Sequence, residues 1–256
     1  MAFPTEVSGS PGYDKTTSTT QKHRLGTKMR YNDGRVFYYS KAAEAITAGY
    51  VTMGTLTAAD HHQDLAVAEA AAVGATQIKL TNGGSTAVVG SGKYTGDFTT
   101  RGDYVDGYLF VMDGAGQGQT FAIEDHGTAA TGAGFTVDLT GTETVQTALT
   151  TSSEVGLHKP VGHSVEVFDI DDIDGSVTGV PTHDIASGEY FWNQTAGPAA
   201  VLGIASLVLG NEAYTCGTNG AAGPSADNNA VEVKLGVVIG LCAATEHSLI
   251  DLSIKY

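Results

Sequence analysis

Between residues 35 and 40 the sequence RVFYYS alternates aromatic and polar positions with a period of two, the pattern of a half-buried strand. AITAGYVTM, at 45–53, adds a tight glycine turn and a second short strand, so the two together predict a β-hairpin module. The stretch LTAADHHQDLAVAEAAAVGAT at 56–76 carries two signals. Its alanines suit a helix with Asp60 as N-cap and Gly74 as stop, whereas Leu65 and Val67 alternate; we read it as strand. QIKLT, YLFVMD, TFAIED and FTVDLT then follow as short strand-like runs separated by Gly, Asn and Asp turns. That spacing predicts a β-sandwich or barrel, with no long amphipathic helix beyond residue 75. The longest apolar run, AAVLGIASLVL at 199–209, falls well short of the roughly 20 residues that span a bilayer and is read as buried strand.

Composition agrees with a turn-rich, strand-rich chain. Glycine accounts for 34 of 256 residues, nearly twice the usual share of about 7%, and only 16% of residues are charged. A chain of this length builds a stable core without metal or disulfide staples. Its two cysteines, Cys216 and Cys242, form no framework and are read as small buried or half-buried thiols. Residues 1–10 lack a basic start followed by an apolar core, so the chain is expected to fold in the cytoplasm in which it is made.

Charge is unevenly placed. Residues 1–41 carry seven Lys and Arg against three acids, a net of +4, and residues 42–256 carry six against twenty-five, a net of −19. An acidic body disfavours nucleic acid, which is bound by displacing phosphate counterions with Lys and Arg. The basic segment, residues 1–30, shows no apolar period and is rich in Ser, Thr and Gly. We expect an extended N-terminal arm that orders against a neighbouring subunit, with Lys22, Arg24, Lys28 and Arg30 as candidate subunit or capsid contacts.

Motifs that would carry chemistry fail at defining positions. DGAGQGQ at 113–119 fits neither the phosphate-binding P-loop nor the dinucleotide fingerprint, lacks a lysine, and runs into strand-like TFAIED, so its glycines make a hairpin turn. GHSVE at 162–166 puts Glu166 where the nucleophile elbow needs its last glycine, which argues against a catalytic Ser164. Asp60, His61, His62 and Asp64 are metal-ligand types, but adjacent histidines point apart and no second cluster completes a site; His158 and His163 stand similarly unsupported. DIDDIDG at 169–175 misses the EF-hand order, with Ile173 at the fifth position and Gly175 one residue late, leaving Asp169–Asp174 as at most a weak Ca²⁺ turn. No catalytic residue, cofactor or metal ligand is assigned, and no enzymatic turnover is expected.

The second half holds the most distinctive sequence, HDIASGEYFWNQTAGPAAVLG at 183–203. It contains Trp192, the sole tryptophan, in an aromatic strand expected to turn through Ala196-Gly197-Pro198 into an apolar strand. Trp192 is read as a core anchor beside the 199–209 run. Here the chain resembles the capsid cement, or head-decoration, proteins of tailed phages, of the marine-phage type. GRVFYYSKAAEAITAGYVTMG is similar to that group's Gly-Arg-Val-Phe strand and Ala-Gly turn. YFWNQTAGPAAVLG resembles its aromatic-Trp-x-Gln-Thr-x-Gly-Pro stretch, and LGVVIGLCAATEHSLIDLSIKY its closing Gly-Val-x-x-Gly strand pair. GATQIKLT and YLFVMDGAGQGQTFAIEDH look like the same group.

The resemblance runs from Gly34 onward and leaves the arm uncovered. It implies an all-β protein: a β-barrel or sandwich core from 31–57 with 156–256, into which 58–155 is inserted as a second β module. It further implies a virion structural protein on the capsid exterior, with the major capsid protein and itself as partners, a homo-oligomer with the trimer favoured, and neither nucleic acid nor membrane bound directly. The rival reading is a phage tail or fibre module that binds carbohydrate or a receptor through exposed aromatics such as Tyr13, Tyr94, Tyr104 and Trp192. No repeat of fixed period supports it.

Overall fold

The computed structural model describes residues 6–256 apart from 55–60, 62–64, 84–86, 89–101, 172–174, 205, 226–231, 244 and 256. The chain divides into two compact units, Phe3–Thr55 with Val161–Tyr256, and Leu56–Pro160. Both are built from strands; among the described residues the sole helical turn is a 3-10 turn at Tyr13–Lys15.

The discontinuous unit opens with β1 (Glu6–Ser8), β2 (Lys28–Arg30), β3 (Val36–Lys41) and β4 (Thr52–Gly54). Within Leu56–Pro160 follow β5 (Leu65–Val67), β6 (Gln77–Thr81), β7 (Tyr108–Asp113), β8 (Thr120–His126), β9 (Gly134–Leu139) and β10 (Glu154–His158). The chain then returns to the first unit with β11 (Val165–Val167), β12 (Val177–Pro181), β13 (Tyr190–Leu202), β14 (Glu212–Thr215), β15 (Ala222–Gly223), β16 (Lys234–Gly240) and β17 (His247–Ser253).

In the discontinuous unit an 11-stranded sheet runs β1-β2-β3-β13-β17-β16-β14-β15, with β12 joining β13 to β4 and β4 to β11. Its backbone is β13, 13 residues long, which pairs first with β3 and then with β17. Residues 190–195 are buried on both faces, and from there inward Ala199 and Val201 alternate with outward Pro198 and Ala200. The turn expected at Ala196-Gly197-Pro198 is instead a bulge inside one continuous strand. The physical reason is local: the Gln194 side-chain nitrogen lies 2.9–3.2 Å from the carbonyls of Ala196, Gly197 and Pro198, so its two N–H donors are shared across the bulged backbone.

Two kinds of core hold this unit. Val51, Met53, Val180, Val201, Leu235, Val238, Ile250 and Leu252 form an aliphatic cluster between the sheet's layers. Beside it runs a buried polar seam, in which Asn193 Nδ2 donates to Thr52 Oγ1 at 2.8 Å and the Thr52 hydroxyl donates to the Gly179 carbonyl at 2.9 Å. Pairing spares the Asn193 amide nitrogen and the Thr52 hydroxyl the 1–3 kcal/mol or so that an unsatisfied buried group costs, whereas Asn193 Oδ1 is buried without a partner among the described residues.

The arm expected to order against a neighbouring subunit instead folds, over 6–30, against its own unit. β1 pairs in parallel with β2, which pairs with β3. Ser18 and Tyr190 exchange backbone hydrogen bonds at 3.0 and 2.8 Å, and the Lys22 amide donates to the Tyr39 hydroxyl at 3.0 Å. Leu25 and Met29 are buried in one cluster with Tyr31, Phe37, Tyr39, Tyr190 and Trp192. A segment without its own apolar period thus offsets its ordering entropy on a surface already supplied by β3 and β13.

The unit Leu56–Pro160 is a closed six-stranded barrel, β10-β5-β6-β9-β8-β7, so closure falls here and not in the 11-stranded sheet. Inward side chains such as Leu65, Ile78, Leu80, Leu109, Ile123, Val137 and Val155 fill it. Within 56–76, Leu65–Val67 is strand β5, while 56–60 and 62–64 lie outside the described residues; the glycine knot at 114–118 is the β7–β8 turn, with Gly114, Gly116 and Gly118 all at positive φ.

Candidate interaction surface

The most unusual surface of the discontinuous unit is apolar. Val208, Leu209, Ile239, Leu241 and Leu249 expose between 42% and 58% of their area. Pairing makes them neighbours. Leu249 on β17 lies opposite Ala200 on β13 and Gly240 on β16, where the ladder bulges at Ile239. The Gly210 amide donates to the Val238 carbonyl at 2.8 Å and the Val238 amide to the Asn211 carbonyl at 2.9 Å, which lays 208–211 alongside 238–240. A contiguous apolar patch anchored on a rigid sheet marks a place where another molecule is buried. The expectation of a fully buried 199–209 run is therefore corrected: Val201 and Leu207 are buried, but Val208 and Leu209 point out.

Acids flank this patch. Glu246 is exposed in the β16–β17 connection, and Asp251 projects from β17 opposite Pro198 and Val237. From 203 to 256 the sequence carries two lysines against five acids, a net of −3, with Lys234 tied to Glu212 at 2.5 Å.

The β1–β2–β3 side of the same sheet is basic and aromatic. Its three acids are each matched by arginine: Glu6 by Arg30 at 3.4 Å, Asp33 by Arg35 at 2.8 Å, and the buried Asp14 by Arg35 at 3.6 Å. The Arg35 guanidinium stacks 4.6 Å from the Tyr31 ring centre. Lys15, Lys22 and Lys28 have no acidic partner among the described residues, so they set the sign of this end. The Tyr13 ring is partly exposed beside them. A cleft of about 540 Å³, lined by Lys15, Arg35, Pro198, Ala200 and His247, links the basic end to the outer side of β13 and β17.

Trp192 itself is 1% exposed. It meets Tyr39 edge-on at 5.0 Å between ring centres, with His23 at 5.2 Å and Tyr13 at 6.0 Å. A cavity of about 230 Å³ remains among these rings and Thr16, Thr17 and Ser18. Tyr104 is equally enclosed, in the barrel, so neither ring presents a stacking face to solvent. Tyr94 lies outside the described residues.

The barrel holds one buried polar cluster. His61 Nδ1 contacts the Tyr104 hydroxyl, the Tyr104 amide donates to His126 Nε2 at 3.1 Å, and His126 Nδ1 donates to the Gly127 carbonyl at 3.1 Å. Burial pushes the His126 imidazole below its ordinary range, with Asp125 and Asp103 opposing. Sequence reasoning missed this arrangement because its three residues sit on separate segments, 43 and 22 positions apart.

Other candidates are dispersed. Ser164 takes a left-handed turn at φ 53° just ahead of β11, and its hydroxyl touches Nδ1 of adjacent His163 at 2.6 Å. In the 169–175 turn, Asp169 caps the Asp171 amide at 2.9 Å and accepts from Asn219 at 2.7 Å; residues 172–174, like Asp60, His62 and Asp64, lie outside the described residues. Among the described residues no group of three His, Cys, Asp or Glu is placed to hold a metal. Cys216 is buried, Cys242 is half-buried, and both are free thiols. Lys28 and Arg30 lie on β2, and Lys22 and Arg24 in the loop before it. No family model, curated protein or solved structure matches the chain.

Proposed function

We propose that the chain is a virion structural protein, a decoration or cement protein that seats on the outside of a tailed-phage head and braces the shell against internal DNA pressure. The observation that carries the reading is the exposed apolar patch Val208–Leu209–Ile239–Leu241–Leu249 on a sheet. Such a surface does its work by being buried against protein. The sequence resemblance supplies the identity of the assembly, and the major capsid protein is the partner it implies. A cement protein needs no reaction: each copy that binds the intact shell but not its opened form stabilises the closed state by mass action. Stable contacts of this kind bury about 1,200–2,000 Å² in total.

The fibre or receptor-binding reading draws on the aromatic cavity around Trp192, but a sugar reaches that ring only if residues 13–23 lift away. The buried state of Trp192 and Tyr104 favours the decoration reading. The test is to add the purified protein to expanded heads prepared without it and to record the temperature at which they release DNA. A rise that saturates with added protein supports the reading, and an unchanged release temperature at saturating protein overturns it.

A further inference from the structure

The cleft of about 540 Å³ beside β13 has no part in the reading above, and no residue of the exposed apolar patch lines it. Its volume is that of a ligand site. Val180, Pro181, Pro198 and Ala200 supply its aliphatic lining, and no Trp, Tyr or Phe lines it, so a sugar or a nucleic-acid base finds no such ring to stack on. We propose that this cleft binds an extended peptide segment of a partner protein, one that presents an Asp or Glu side chain between small aliphatic residues.

The polar groups that line the cleft select this ligand because they are of two kinds. The first kind is cationic donors. Lys15 has no acidic partner among the described residues. Arg35 is held by Asp33 at 2.8 Å from Nε and by the Tyr31 ring, and its Nη1 lies 3.6 Å from the buried Asp14, whereas Nη2 makes no hydrogen bond among the described residues. Asp14 is already engaged, by Arg35 and by the Tyr31 hydroxyl at 2.8 Å. Because Arg35 answers two acids, the excess of positive charge comes from Lys15 and from the rest of residues 1–41, which are net +4. A carboxylate meets the ammonium and the guanidinium through charge-assisted hydrogen bonds. The second kind is acceptors. Gln194 commits Nε2 to the carbonyls of Ala196, Gly197 and Pro198, and its Oε1 makes no hydrogen bond among the described residues. His247 donates from Nε2 to the Ala48 carbonyl at 3.1 Å, which leaves Nδ1 of the neutral ring as an acceptor. A bare carboxylate has no N–H to offer these atoms. A peptide has one on nearly every residue.

The walls are set before any ligand arrives. The Gly49 amide donates to the Pro181 carbonyl and the Leu202 amide to the Gly49 carbonyl, both at 2.8 Å. A Cβ on Gly49 would lie 2.3 Å from the His247 ring, so glycine at this position lets the ring take its place. Walls held in this way lower the ordering cost of binding. Asp251, on β17 opposite Pro198, repels a carboxylate while Lys15 attracts it, so the acidic side chain seats at Lys15 and its aliphatic neighbours cover Pro181, Pro198 and Ala200. The site stands apart from the apolar patch and does not depend on whether the chain decorates heads.

The experiment titrates the isotope-labelled full chain with the acetylated, amidated pentapeptide Ala-Ala-Glu-Ala-Ala and follows backbone amide shifts by NMR. Saturable shifts centred on Ala48, Gly49, Thr182 and Ala200 are expected. The counterpart with Gln in place of Glu should bind about tenfold more weakly or worse, and Lys15→Glu should weaken binding of the Glu peptide to the same extent. Lys22→Glu, a charge change on the same side of the sheet but outside the cleft, should bind the Glu peptide as wild type does. Glutarate, which carries the carboxylate without peptide N–H groups, should bind more weakly than the peptide. Trp192 emission, unchanged in both variants, verifies that they are folded. No saturable shift up to millimolar peptide, or saturable shifts centred elsewhere, overturns the inference. So does a Gln peptide or glutarate that binds as tightly as the Glu peptide, or a Lys15→Glu variant that binds no more weakly than Lys22→Glu.

Discussion

The backbone N–H of Tyr104 donates to Nε2 of His126 at 3.1 Å, and this one contact fixes the imidazole as the neutral tautomer with its proton on Nδ1. That proton is used as well, by the Gly127 carbonyl at 3.1 Å. A second proton would have to sit on Nε2, facing the Tyr104 N–H. Burial lowers this ring below its usual range, and the Tyr104 N–H facing Nε2 works in the same direction, against the Gly127 carbonyl and the nearby Asp125 and Asp103.

The barrel should accordingly lose stability in mild acid. Above about pH 6.5 the ring is neutral in both folded and unfolded chains, and the folded arrangement is intact. As pH falls below that value the unfolded chain takes up the proton first, so stability declines through the interval down to the lowered folded value. Thermal unfolding of wild type and His126→Gln, followed from about pH 7 to about pH 5, should show the steeper decline in wild type. Parallel profiles would show that His126 is not the group responsible.

Trp192→Ala should cost about 3–5 kcal/mol, because a fully enclosed indole is removed from a cluster of seven buried apolar and aromatic side chains. Denaturant titration checks this. An unchanged midpoint would mean that the ring does not anchor the core.

Removing residues 2–24 should destabilise the discontinuous unit, since Tyr13 and His23 cover one side of Trp192 and the Lys22 amide caps Tyr39. Trp192 is the only tryptophan, so its fluorescence reports the change directly. A red-shifted emission in the folded truncated protein is expected. Identical emission and melting in the two proteins would show that the segment does not support the core.

Two glycine substitutions should separate cleanly. A Cβ on Gly175 would lie 1.5 Å from the Gly54 carbonyl oxygen, so Gly175→Ala should cost about 1–3 kcal/mol or more. Gly217 has open space around it, and Gly217→Ala should be neutral or slightly stabilising. Melting temperatures of the two variants decide whether that close approach is real.

Much of the all-β architecture was legible because alternation reports local burial directly. RVFYYS became β3, and QIKLT, YLFVMD, TFAIED and FTVDLT lie on β6 to β9. What the sequence hid depends on partners distant along the chain. Leu207 and Leu209 have the same side chain, yet one is buried and the other exposed, because only Leu207 meets the aliphatic core. The arm reads as needing a neighbouring subunit because its own support, Tyr39 and Trp192, stands elsewhere in the chain. The bulge at Ala196 is the exception: its stabilising amide, Gln194, is two residues away, but Ala-Gly-Pro reads as a turn because the strand is continued by pairing with the distant β17. The candidate surface was invisible for the same reason: 208–209, 239–241 and 249 become one patch only when β13, β16 and β17 pair.

The central claim is that the chain works by seating on phage heads through protein–protein burial, and the most direct test is the number of copies bound per expanded head. Wild type should saturate at a fixed ratio to the major capsid protein. Leu209→Asp with Leu241→Asp, a pair of surface changes expected to leave folding intact, should bind at a small fraction of that ratio. Heads that take up no wild-type protein, or that take up the double variant equally well, would contradict the account.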